Sequence, residues 1–132
     1  MIVADTNLIA YFLMKGEETA SAQDVFQKDP DWRAPSLWRS EFRNMLALYL
    51  KRGTISMEEA SRLSEEAEHL MQDGRPVETR RVLELALASG CTAYDCEFVA
   101  LARDLGVPLV TSDSQILKAF PSVAVPLARF AA

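Results

Sequence analysis

Met1-Ile2-Val3-Ala4-Asp5-Thr6-Asn7 opens the chain with an apolar run that gives way to three small polar residues. A run this short reads as a buried strand, and the polar break before Leu8 as the turn into a helix. In an open α/β sheet, ligands bind beyond the carboxyl ends of the strands, so a carboxylate placed there is a candidate ligand holder. Asp5 occupies such a position.

The same pattern recurs near the other end of the chain. Val107-Pro108-Leu109-Val110-Thr111 is a buried-strand run, and Ser112-Asp113-Ser114 breaks it before Gln115 to Ala119. Between the two lies a second short strand, Trp32-Arg33-Ala34, followed by Pro35-Ser36 and a helix to about Arg52, with Ser36 as N-cap and Gly53 as terminator. On a helical wheel Leu37, Trp38, Phe42, Met45, Leu46, Leu48 and Tyr49 fill one half, and Arg39, Ser40, Arg43 and Lys51 the other. Glu41 falls inside the apolar half, where a carboxylate is costly unless it is paired or binds a cation. Farther on, Thr92 caps a helix through Leu105 that Gly106 ends, with Tyr94, Phe98, Leu101, Ala102 and Leu105 on its core side. Asp95 lies at the edge of that side. Glu97 points about 160° away from Asp95, toward solvent or a partner.

The remaining segments read as scaffold. Leu8 to Met14 continues as a short helix, and Glu17 to Lys28 as another that Asp29-Pro30 stops. Ser56-Met57-Glu58-Glu59 is a capping box for a helix with Met57, Ala60, Leu63, Ala67 and Leu70 on one stripe, ending at Asp73-Gly74. Arg75-Pro76-Val77 is a brief extended link, and Glu78 to Ser89 a helix carrying Val82, Leu83, Leu85, Ala86 and Leu87, closed by Gly90. Val123 to Pro126 is a last strand, and Leu127 to Ala132 an apolar tail with no legible role. Alternating strands and helices predict one α/β domain over residues 1–132, with a mainly parallel sheet flanked by helices on both faces.

Composition narrows the function. At 132 residues and 49% hydrophobic content the chain can bury a full core without staples. The longest uncharged stretches, Leu85 to Tyr94 and Ala119 to Ala128, are too short to cross a bilayer, and no basic leader precedes the first strand, so neither export nor a membrane span is expected. Cys91 and Cys96 lie about 140° apart on a wheel, poorly placed to bond each other, and read as free thiols in a reducing cytosol. His69 is the only histidine, which argues against zinc. A net charge of −5 disfavours a nucleic-acid partner on its own.

Four acids remain. Asp5 and Asp113 can be helix N-caps, Asp95 can be the acidic half of a Thr-x-x-Asp capping box with Thr92, and Glu41 can pair with a buried Arg. Brought together at the carboxyl edge of the sheet, they would instead repel one another unless a divalent cation supplied the opposing charge. Oxygen-only ligation selects Mg²⁺ or Mn²⁺, and metal-assisted phosphodiester hydrolysis follows.

The residues 1–7, Glu41, Thr92-Ala93-Tyr94-Asp95-Cys96-Glu97-Phe98-Val99-Ala100-Leu101-Ala102 and Leu109-Val110-Thr111-Ser112-Asp113 together resemble a PIN-domain protein, and more closely the VapC-type toxins of toxin–antitoxin pairs. The resemblance covers nearly the whole chain, in order and spacing. It implies a Rossmann-like parallel sheet and an endoribonuclease using Mg²⁺ or Mn²⁺ held by an acidic quartet, Asp5, Glu41, Asp95 and Asp113 when carried over by position. It further implies that Thr6 and Asn7 help order the site and that Thr111 and Ser112 support the last acid. Cys96 stands where the family has a small residue. With the quartet's charge met by metal, the remaining surface is near balance, leaving Arg39, Arg43, Lys51 and Arg52, with Arg75, Arg80 and Arg81 beyond, for RNA phosphates. A homodimer, a small antitoxin covering the active site, and a cytoplasmic location are also implied. Two other readings stand beside this one. A catalytically silent PIN interaction module would have lost at least one acid, and a phospho-receiver domain would need a strand-end Lys that Val107 to Asp113 does not contain.

Overall fold

The computed structural model describes residues 1–72 and 74–132. Four short strands, β1 (Ile2–Ala4), β2 (Trp32–Arg33), β3 (Leu109–Val110) and β4 (Ala124–Val125), form one sheet in the order β2-β1-β3-β4, every neighbouring pair parallel. The helices are α1 (Thr6–Leu13), α2 (Thr19–Lys28), α3 (Leu37–Lys51), α4 (Met57–Met71), α5 (Thr79–Ser89), α6 (Ala93–Leu105), α7 (Ser114–Ala119) and α8 (Leu127–Ala131). All of β1 is buried, as a parallel strand covered on both faces must be. The expected α/β class with a parallel sheet is what the chain forms.

This order fixes where a site can lie. The chain leaves β1 for β2 on one side and later returns to β3 on the other, so the strand order reverses between β1 and β3. The crevice beyond their carboxyl ends is the place where such sheets bind ligands. The register pairs Val3 with Leu109 and Ala4 with Val110, which sets Asp5 level with Thr111 one step farther along.

Local signals explain most helix ends. Asp5 caps α1, so this helix begins at Thr6, ahead of Leu8; Ser56 and Glu59 form the full capping box of α4. Gly90 and Gly106 take left-handed conformations after α5 and α6, which a residue with a Cβ enters at a cost. Ser36 departs from expectation. It already has helical backbone angles and makes no side-chain capping bond, because the Trp38 N–H donates to the Pro35 carbonyl and the turn starts one residue earlier. Pro35 and Arg75 form an isolated parallel bridge instead, with Gly74 packed so closely on Ser36 that a Cβ there would stand 2.5 Å from its Cα. The expected stop of α4 included Asp73, which lies outside the described residues.

The apolar faces are narrower than the wheels implied. Leu48, Met57, Leu83, Leu87 and Tyr94 are exposed, Leu87 at 90%. The core instead takes small residues of α6, including Cys96, Ala100 and Ala102, against β1 and β3. Both cysteines are free and buried. The C-terminal tail has a place: α8 packs on α2 with Leu127 buried, and Lys28 Nζ sits over the Phe130 ring while donating to its carbonyl. No single helix among the described residues is long and apolar enough to cross a membrane.

Candidate active site

Asp5 sits just past the end of β1 and is 7% exposed. Its two oxygens have different tasks. Oδ1 accepts from the Leu8 N–H at 2.8 Å, closing the first turn of α1, and Oδ2 accepts from the Thr111 hydroxyl. Thr111 Oγ1 in turn accepts from the Asp113 N–H at 3.0 Å. Asp113 caps α7 through Oδ1 and the Ile116 N–H, 2.9 Å. One buried hydroxyl thereby ties the acid after β1 to the acid after β3.

Glu41 is reached from the other direction. It is half-buried on α3, and its Oε1 accepts from the Thr6 hydroxyl at 2.7 Å, which joins α3 to the first residue of α1. Asp95, half-buried in the first turn of α6, lies where the Thr92 hydroxyl accepts from its N–H at 3.1 Å. Asp5, Glu41, Asp95 and Asp113 all line a single cleft of about 230 Å³, together with Thr6, Asn7, Asn44 and an apolar floor of Met45, Phe98 and Ile116. No Lys, Arg or His is among those side chains. The capping readings of Asp5 and Asp113 and their convergence on one cavity are therefore both realised.

The electrostatics follow from that crowding. Burial, opposed by the hydrogen bonds from Thr111 and Leu8 and reinforced by the charges of Asp113 and Glu41, pushes the Asp5 carboxyl up to about 6. Glu41 is raised by burial and by the charge of Asp95, with the Thr6 hydrogen bond pulling the other way. Burial raises Asp95 as well, hydrogen bonding to Thr92 lowers it, and the charge of Asp113 adds to the rise. Such a set resists full ionisation without a cation.

In kind, the donors fit a hard, oxygen-ligated ion. In spacing, no three Asp, Glu, His or Cys side chains among the described residues stand so as to hold one ion together. Mg²⁺ does not require such a cage, since it usually keeps several waters and takes only one or two carboxylates.

Several expected roles change. Thr111 supports the first acid as well as the last, and Thr6 bridges to Glu41. Ser112 is exposed and pairs with the Tyr11 hydroxyl at 3.3 Å, away from Asp113. Asn7 lines the cleft. Glu97 is half-buried, and burial with the charge of Glu41 raises its carboxyl, so it sits nearer the site than its wheel angle implied. Among the expected RNA contacts, Arg39 is stacked on Trp38 and bound bidentately to Glu68, whereas Arg43, Lys51 and Arg52 are exposed. Arg80 pairs with Glu84 and Arg81 with Asp104. Asn44 escaped the sequence reading. Its spacing of one helical turn from Glu41 was the available signal.

Known proteins resemble the chain over nearly its whole length. The PIN domain family model matches residues 2–121. Ribonuclease VapC3 of Pyrobaculum aerophilum is 30% identical over 129 residues, covering 95% of this chain and 98% of that protein. The crystal structure of PAE2754 from the same organism superposes with a TM-score of 0.77 over 98% of this chain and 96% of the other, at 21% identity, a likeness of fold. With the match spanning nearly every element that builds the cleft, the chain belongs to the PIN domain family and is a VapC-type member of it.

Proposed function

We propose that the protein is a metal-dependent endoribonuclease, the toxin of a toxin–antitoxin pair, in which Asp5, Glu41, Asp95 and Asp113 hold Mg²⁺ or Mn²⁺. The observation that carries this reading is the convergence of four carboxylates, without a basic side chain, on one cleft at the carboxyl ends of β1 and β3. Support for the substrate comes from similarity to a protein named as a ribonuclease.

A divalent ion bound there would lower the pKa of a water and offset charge developing on the phosphoryl group. The chain's own residues do the rest. Asp5 is held in one orientation by Leu8 and Thr111, and Asp113 by Ile116, so neither carboxylate has to be ordered when RNA arrives. Thr6 fixes Glu41 from the opposite wall. Met45, Phe98 and Ile116 give the cleft an apolar portion beside the acids.

If water is the nucleophile, the ribose 2′-hydroxyl is not. Fragments of a labelled RNA should therefore end without a 2′,3′-cyclic phosphate, and formation of cyclic ends in a chelator-treated sample would point to a different chemistry. The competing reading is a catalytically silent interaction module. An intact fold that cleaves no RNA with either metal would select it.

A homodimer and a small antitoxin partner belong to the same proposal. Exposed Leu83 and Leu87, one turn apart on α5, support a self-association face. A cytoplasmic site of action is in keeping with the two free thiols and an RNA substrate.

A further inference from the structure

The cleft presents a difficulty for its own substrate: an RNA phosphodiester is an anion, and four of the lining side chains are acids. Cations on the same helix do not resolve it. Arg39 is bound to Glu68, and Arg43 lines a separate groove between α3 and α4 with Leu46, Leu50 and Glu65. Within the cleft, the Thr6 hydroxyl proton is directed to Glu41. The lining side chains that still offer an N–H are the amides of Asn7 and Asn44, both exposed, and no side-chain hydrogen bond engages either among the described residues.

Asn44 is the better placed of the two. It lies one turn beyond Glu41 on α3 and lines the cleft from that helix, and a neutral amide donates without adding charge. Resting on the ribonuclease reading above, we propose that Asn44 is a substrate-contact residue that donates from Nδ2 to a non-bridging oxygen of the RNA phosphodiester entering the cleft. Its neutral N–H lets an anion approach, where a further acid would repel it. Arg43, Lys51 and Arg52 then act on phosphates outside the cleft.

The test is fluorescence anisotropy of a fluorescein-labelled, mixed-sequence single-stranded RNA with Mg²⁺ present, in an Asp5→Asn background that leaves the RNA whole. Asn44→Ala and the near-isosteric Asn44→Leu should each weaken binding roughly ten-fold, the loss expected of a hydrogen bond to a charged group. Asn44→Gln, which keeps the amide, should stay within about three-fold of the parent. Melting temperatures should not move, because Asn44 is exposed. In the active protein the same two variants should raise KM far more than they lower kcat. Unchanged affinity in both Ala and Leu variants overturns the assignment while leaving the nuclease reading intact if the wild type cleaves. Asn44-dependent binding without cleavage by the wild type would uphold the contact and defeat the nuclease. Absence of any RNA binding defeats both.

Discussion

At Asp5 a buried carboxyl accepts two hydrogen bonds and still titrates near 6, because burial outweighs them. An unfolded chain releases that proton near 3.8, so between the two values the folded protein binds more protons. Metal-free stability must then fall as pH rises through this window, by roughly 3 kcal/mol in full at neutral pH. Asp5→Asn keeps a capping oxygen but does not titrate. The melting temperature of the variant should therefore gain on that of the wild type as pH climbs from 4 to 7, and parallel curves would contradict the assignment. Thr111→Val tests the tie between the two strand-end acids. It strips a hydrogen bond from Asp5 and an acceptor from the Asp113 N–H, both at a fully buried position, and should cost about 1–3 kcal/mol in urea unfolding, with Thr111→Ser close to wild type. The acids themselves were legible in the sequence from their places after strands and inside an apolar face. That Thr111 reaches back to Asp5 was not, since it depends on the β1–β3 register, which pairs residues more than a hundred positions apart.

Among the elements, boundaries marked by a specific side-chain chemistry were legible: the Ser56–Glu59 capping box, the Thr92 cap and the glycines after α5 and α6. Ser56→Ala should destabilise the protein by about 1 kcal/mol and leave RNA cleavage unchanged, because α4 contributes nothing to the cleft. A loss of activity in that variant would mean that α4 reaches the site. α3 follows Ser36 as expected, but the side-chain cap expected of Ser36 does not form: a strand-like bridge joins Pro35 to Arg75, and nothing near Ser36 in sequence announces a partner so far along the chain. Leu48 and Tyr94, expected on core-facing sides, are exposed for a related reason. Periodicity counts apolar residues on a face, but a short parallel sheet can cover only part of each helix, and how much is a tertiary property.

For the molecule as a whole, the net charge of −5 looked hostile to RNA until four acids were gathered in one cleft. The exposed Arg43, Lys51 and Arg52 on or just beyond α3 are then the available electrostatic handle. Reversing all three to Glu should weaken RNA binding and flatten its salt dependence, with the slope shrinking by roughly one unit per lost phosphate contact. Equal slopes would place the RNA elsewhere. The order β2-β1-β3-β4 brings residues 5, 41, 95 and 113 to one edge, and this convergence is what the account rests on. Its most direct test is cleavage of labelled cellular RNA by metal-stripped protein, with Mg²⁺ or Mn²⁺ returned, beside Asp5→Asn, Glu41→Gln, Asp95→Asn and Asp113→Asn. Cleavage that needs the metal and disappears in each folded variant is the predicted result; cleavage that persists in chelator, or in any of the four, would contradict a metal site built from this quartet.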